Sequence, residues 1–214
     1  MRTKSEEPIP GKSEFLRRVG EYERSEDVFE AMYKVATFLV DHFWGEPAEM
    51  ANGLGVLLLT WNQAFYRYGP LSLVRLEECI KRRLASLKDF RDRDILDFTS
   101  ADEHDVRDVF IDFLQALQIS EGKMKGRRSP VSVAKALHLL APAFFPLWDD
   151  KIARAYGCYY NNDPQGRYVS FCHITKQIAG GVRGYAARTD KTLTKLIDQY
   201  NYVKYTLPVL KRRT

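Results

Sequence analysis

Apolar residues in this chain recur every third or fourth position, and no stretch alternates apolar with polar. Val106, Val109, Phe110, Phe113, Leu114 and Leu117 are the clearest case. They share one face of a helix with 3.6 residues per turn. Leu73, Leu76, Ile80 and Leu84 repeat the pattern, as do Val28, Met32, Val35, Leu39 and Phe43. A strand with one buried face needs a period of two, which no segment offers. The expectation is an all-α fold: one globular multi-helix domain over residues 13–214, which could divide into two helical lobes with a cleft between them. A polar arm, residues 1–12 with Pro8 and Pro10, precedes it.

Punctuation places the helices. Ser13 is a candidate N-cap for a first short helix. Ser25, Glu26 and Asp27 suit the start of a second, since a hydroxyl and two acids satisfy free N–H groups and the positive end of the dipole. Residues 45–47 (Gly-Glu-Pro) end it. Residues 48–68 read as a helix interrupted or begun near Gly53 and Gly55, closed by Gly69-Pro70. Ser72 caps the next. Ser100, three residues before Glu103, has the spacing of a capping box. Residues 120–130 hold two glycines, a proline and four basic residues, which predicts a loop. Helices over 131–140, 149–156, 169–182 and 191–205 follow. Gly180, Gly181 and Gly184 lack a preceding strand and fit a helix end better than a nucleotide loop.

The 214 residues suffice for a real core. No leader-like apolar segment opens the chain, and the longest apolar run, 56–59, is far too short to span a bilayer. Cys79, Cys158 and Cys172 are few and scattered. They imply packed side chains in a reducing, cytoplasmic compartment rather than a disulfide framework or a metal site. No motif for a phosphate loop, a nucleophile elbow or a zinc protease is present, and no cofactor is implied. The net charge of +5 suits a polyanionic partner. Lys123, Lys125, Arg127 and Arg128 concentrate positive charge in the 120–130 loop, where they could neutralise phosphates.

Residues 129–157, SPVSVAKALHLLAPAFFPLWDDKIARAYG, are the most informative stretch. A helix carries Lys135, a proline-bracketed aromatic turn follows, and Asp149 opens a second helix. An aspartate there caps free N–H groups whatever else it does. His138 lies three residues after Lys135, on the same helix face. Phe144 and Trp148 could wall a pocket.

This segment resembles the lysine-and-aspartate part of the helix-hairpin-helix DNA glycosylase superfamily. Ala134, Lys135 and Ala136 stand where the family has a Lys-Thr-Ala-like helix start. Pro146 through Arg154 stand where it has a Pro-Val-Asp-Thr-His-Val-x-Arg-like segment, with Asp149, Ile152 and Arg154 at the family's relative spacing. Val131 and Val133 occupy the places of the usual hairpin glycines. The resemblance implies an all-helical base-excision glycosylase acting on duplex DNA with a damaged base. Lys135 would be the amine nucleophile of a glycosylase/lyase, and Asp149 the carboxylate that stabilises the cationic sugar or activates the attacking group. Asn62 and Gln63, in a Leu-Thr-Trp-Asn-Gln run similar to the family's DNA-facing helix start, would fill the space of the extruded base. His138, Phe144 and Trp148 would contribute to the base pocket. A monomer, associated with the nucleoid in a bacterial or archaeal cell, fits this picture. Two other readings stand beside it: a non-catalytic helical nucleic-acid-binding domain, and a helical interaction protein in which Lys135 and Asp149 only pack and cap.

Overall fold

In a computed structural model, which describes residues 9–25, 28–186 and 189–208, every regular element is helical. The helices are α1 (Lys12–Glu23), α2 (Val28–His42), α3 (Pro47–Trp61), α4 (Gln63–Tyr66), α5 (Leu73–Arg91), α6 (Glu103–Ala116), α7 (Pro130–Leu140), α8 (Asp150–Ala155), α9 (Pro164–Ala186) and α10 (Leu193–Asn201). Two 3-10 turns precede α6, and a π-helical turn, Tyr202–Thr206, continues α10. The all-α expectation holds. No described helix is long and apolar enough to cross a membrane.

α7 organises the packing. Eight of its eleven residues, from Ser132 to Leu140, are buried, so it has almost no polar face to turn to water. A helix apolar all round must be surrounded, and α2, α3 and α6 all pack against it. α5 and α9 cover α6 from outside, and α10 joins α9 to α1. Ser129 starts α7 by accepting from Ser132 N at 3.2 Å, with Pro130 in the first turn. The aromatic turn after α7 buries Phe144, Phe145 and Trp148 against Phe90, Phe110 and Tyr168.

Several local expectations shift. α1 starts after Gly11, not at Ser13. Glu26 and Asp27 lie outside the described residues, as do residues 1–8 of the arm. In α2 the buried face is Tyr33, Ala36 and Val40, while Val35 and Phe38 are exposed. The true stripe has a tyrosine and an alanine in it, so a pattern of large aliphatics points to the wrong side. Gly53 and Gly55 do not break α3. They sit where helices touch: a Cβ on Gly53 would meet Leu39 Cβ and Val40 Cγ2 at 3.1 Å, and one on Gly55 would meet Leu73 Cδ2 at 3.2 Å. The break falls at Asn62. The capping box before α6 is Thr99 with Asp102, one residue ahead of the expected Ser100 and Glu103. α9 begins at Pro164 and carries its glycines inside the helix rather than at its end. The three cysteines are buried.

One comparison checks where stability resides. Leu137 is fully buried in α7, whereas Val74 is 65 % exposed on α5. Leu137→Ala is expected to lower unfolding free energy by about 2–5 kcal/mol. Val74→Ala should change it by less than about 0.5 kcal/mol. Urea midpoints of the two variants measure the difference.

Candidate active site

The cavity that matters lies beside α7 and holds about 260 Å³. Three charged side chains line it: Lys135 from α7, Asp149 from the start of α8, and Asp198 from α10. Trp61, Leu147 and the almost wholly buried Trp148 also line it. Tyr22 from α1, Ile152 from α8, and Tyr202 and Thr206 from the π-helical turn complete it. Two of the groups expected from sequence, Lys135 and Asp149, therefore face one aromatic-walled space.

Each charged group is held for a local reason. The Asn62 break ends α3 and leaves its last carbonyls without intrahelical donors. Lys135 Nζ fills that need, donating to Trp61 O at 2.6 Å and to Asn62 Oδ1 at 3.2 Å. A cation at a helix C-terminus also meets the negative end of the dipole. The lysine stem remains partly accessible, but the ammonium is closely surrounded. Burial pushes its pKa down to about 8, against the opposing pull of Asp149 and Asp198.

Asp149 is held by three donors. Its Oδ1 accepts from Lys151 N and Ile152 N, both at 2.7 Å, capping α8. Its Oδ2 accepts from Thr206 Oγ1 at 2.6 Å. The carboxylate is thus fixed from two sides, by its own helix and by the far end of the chain.

Asp198 is the group that sequence reasoning missed. Burial pushes its carboxyl up to about 6, helped by Asp149 and Glu30 and opposed by Lys195 and Lys135. Lys195 Nζ lies 3.6 Å from Asp198 Oδ2 and 3.2 Å from Glu30 Oε2, over the ring of Tyr33 at 4.0 Å. Asp198 shares a helix face with Lys195 at a spacing of three, which reads from sequence as an ordinary surface pair. Only the packing of α10 against the rest of the fold reveals it as half-buried, at 13 % side-chain exposure, and turned to the cavity. Lys195 and Glu30 also line a second, larger cavity of about 600 Å³, whose other charges are of both signs.

Other expected residues go elsewhere. Asn62 was expected to face DNA, but its amide donates to Ser129 Oγ at 3.1 Å and to Ser132 Oγ while its oxygen accepts from Lys135. It is a bracket between α3 and α7. Gln63 is exposed beside it. His138 and Phe144 are buried away from the lining. The Phe145 carbonyl, 2.8 Å from His138 Nδ1, can only accept, so Nδ1 carries the proton and Nε2 accepts from the Tyr33 hydroxyl at 2.9 Å. Burial keeps this imidazole neutral, with its pKa down to about 3. Phe144 packs on Phe90 and Phe98. Trp148 alone of the expected pocket residues lines the cavity. Its indole N–H finds no acceptor among the described residues.

Lys123, Lys125, Arg127 and Arg128 are all exposed, on the loop joining α6 to α7. That loop is closed on itself: Gly126 N donates to Ile119 O at 2.8 Å, and Ile119 N to Arg127 O at 2.9 Å. Gly122 and Gly126 have φ of +80° and +84°, a conformation that L side chains rarely adopt. The glycines upstream of α7 therefore shape a tight turn well before Lys135 rather than at the family's usual hairpin position. Among the described residues no cluster of His, Cys, Asp and Glu could hold a metal ion.

The Asp198 carboxyl gives stability a defined pH dependence. Its folded value is raised above the ordinary 3.8, to about 6. Between those limits the folded protein holds a proton that the unfolded chain has released. Its contribution to stability is present below that window and is lost as pH rises through it. Asp198→Asn should flatten that slope between about pH 4 and 6 in denaturant titrations. An unchanged slope would assign it to other groups.

Set against known proteins, the chain matches no family model, no curated protein and no solved structure, so its chemistry is read from the cavity itself.

Proposed function

We propose that the chain is a DNA base-excision glycosylase whose Lys135 also supports lyase chemistry. The observation that carries this reading is the shared cavity of Lys135 and Asp149. Breaking an N-glycosidic bond builds positive charge on the sugar, and a fixed carboxylate stabilises such charge best where water is scarce. Asp149, held by three donors, supplies that group. Lys135 supplies an amine whose pKa is lowered to about 8. At pH 7 roughly one such lysine in ten carries the free amine, some hundreds of times more than an ordinary lysine. The free amine can attack the sugar C1′ and form a Schiff base. A base turned out of the duplex would enter the cavity that Trp61 and Trp148 help to line, since flipped bases are held by stacking and by polar groups at their edges. The exposed basic loop before α7 would take phosphates.

A second reading gives the same groups structural work only. Lys135 ties α7 to the end of α3, and Asp149 caps α8, in a non-catalytic nucleic-acid-binding or interaction domain. Trapping separates the two. Wild-type protein is incubated with duplexes carrying oxidised, alkylated, deaminated or abasic sites, with borohydride present. A covalent adduct is expected with at least one duplex, and Lys135→Ala should abolish it while Asp149→Asn slows its formation by about 10²-fold or more. Absence of both adduct and base release across the set would defeat the enzyme reading.

The basic loop makes a separate prediction. The triple change of Lys125, Arg127 and Arg128 to Ala should reduce the slope of log affinity against log salt by about 0.9 for each phosphate that is no longer neutralised. An unchanged slope would place the DNA path elsewhere.

A further inference from the structure

We propose that Asp198 is a further catalytic residue of this cavity, the acid that hands a proton to the departing base. The proposal rests on the glycosylase reading above. Its ground is the arrangement of two unlike carboxyls and one amine around one space: Asp198 lines the same cavity as Lys135 and Asp149. Asp149 is turned to three donors at 2.6–2.7 Å, and so is fixed as an acceptor. The contact of Asp198 with Lys195 Nζ, at 3.6 Å, is longer than a hydrogen bond. Charged and titratable groups face Asp198 from every side: Lys195 on its own helix, Lys135 on α7, Asp149 before α8, and Glu30 and Tyr33 on α2. Burial is the largest influence on Asp198, ahead of the two ammonium groups and the two carboxylates, so this carboxyl keeps its proton to about pH 6. A carboxyl engaged as an acceptor by three donors beside one that keeps its proton suits the first to stabilising charge and the second to acting as an acid.

The chemistry needs such an acid. A neutral base that leaves with the bonding electron pair departs as an anion unless a proton reaches it. In this step neutral Lys135 Nζ forms a bond to C1′ while the C1′–N bond breaks. The electron pair goes to the departing nitrogen, which takes the Asp198 proton. The base leaves neutral, the new positive charge stays on the lysine nitrogen, and the new negative charge stays on Asp198. Productive protein has Asp198 protonated and Lys135 free. Because Asp198 titrates near 6 and Lys135 near 8, the pair holds one proton between those values. The rate should then level off from about pH 6 to 8 and fall on either side.

A base that is already cationic in the duplex, such as 7-methylguanine, leaves neutral without any proton. Its release should rise with pH to about 8 and stay level above. The experiment measures single-turnover release, across about pH 5–10, of 7-methylguanine and of neutral bases: uracil, hypoxanthine and 8-oxoguanine. For a neutral base, Asp198→Asn should slow release by about 10²–10⁴-fold near pH 7 and abolish the fall above about pH 8. For 7-methylguanine it should change the rate by less than about threefold. Equal losses on both kinds of base, or no loss on the neutral ones, would overturn the proposal. If the Asn variant does not fold, the wild-type profiles decide alone: no fall above about pH 8 on a neutral base overturns it. Release of none of these bases by wild type would overturn the glycosylase reading itself, and this assignment with it.

Discussion

A lysine ammonium set against the broken end of a helix is the contact on which the site depends. α3 stops at Trp61, its terminal carbonyl turns to Lys135, and Asn62 accepts from the same ammonium while donating to the serines at the start of α7. One side chain thus satisfies a helix end, aligns two helices and places an amine in a cavity. The arrangement is costly to desolvate, which is why the amine holds its proton less tightly than a surface lysine. The same burial makes it stiff: Lys135 has acceptors on one side and aromatic wall on the other. The tie between helices and the lowered pKa are here two consequences of one burial.

Sequence patterns reveal some of this and conceal the rest, for physical reasons. Val106 through Leu117 and Ser72 before α5 are read correctly, because a long stripe of large apolar residues and a hydroxyl cap each have one cheap structural solution. α2 misleads because its buried face is built from Tyr33, Ala36 and Val40, and small or polar-tipped residues carry weak hydrophobic signals. Gly53 and Gly55 mislead because a glycine that admits a neighbouring helix looks in sequence like one that ends its own. Lys135 and Asp149 are visible as a pair, since one sits in an otherwise apolar helix and the other at a helix start after a proline-rich turn. Asp198 is not visible: nothing in Leu193–Asn201 distinguishes a carboxylate facing water from one facing a cavity until the neighbouring helices are in place.

The two groups are held by different kinds of element. The amine stands on α7, eight of whose eleven residues are buried, whereas Asp149 caps a six-residue helix that packs on the π-helical turn. Segments of π-helix are rare and recur where a chain must present side chains out of ordinary helical register. Here the irregular turn brings Thr206 to Asp149 and Tyr202 into the cavity wall.

The two ends of the described chain meet at this wall. α1, which contributes Tyr22, packs against α10 and the π-helical turn, which contribute Asp198, Tyr202 and Thr206. These contacts span nearly the whole described sequence, and a contact between such distant segments carries a loop-closure entropy that grows with their separation. A molecule in which only the central helices have packed would lack Tyr22, Asp198, Tyr202 and Thr206 from the lining. The lining is complete only when both ends of the described chain are in place.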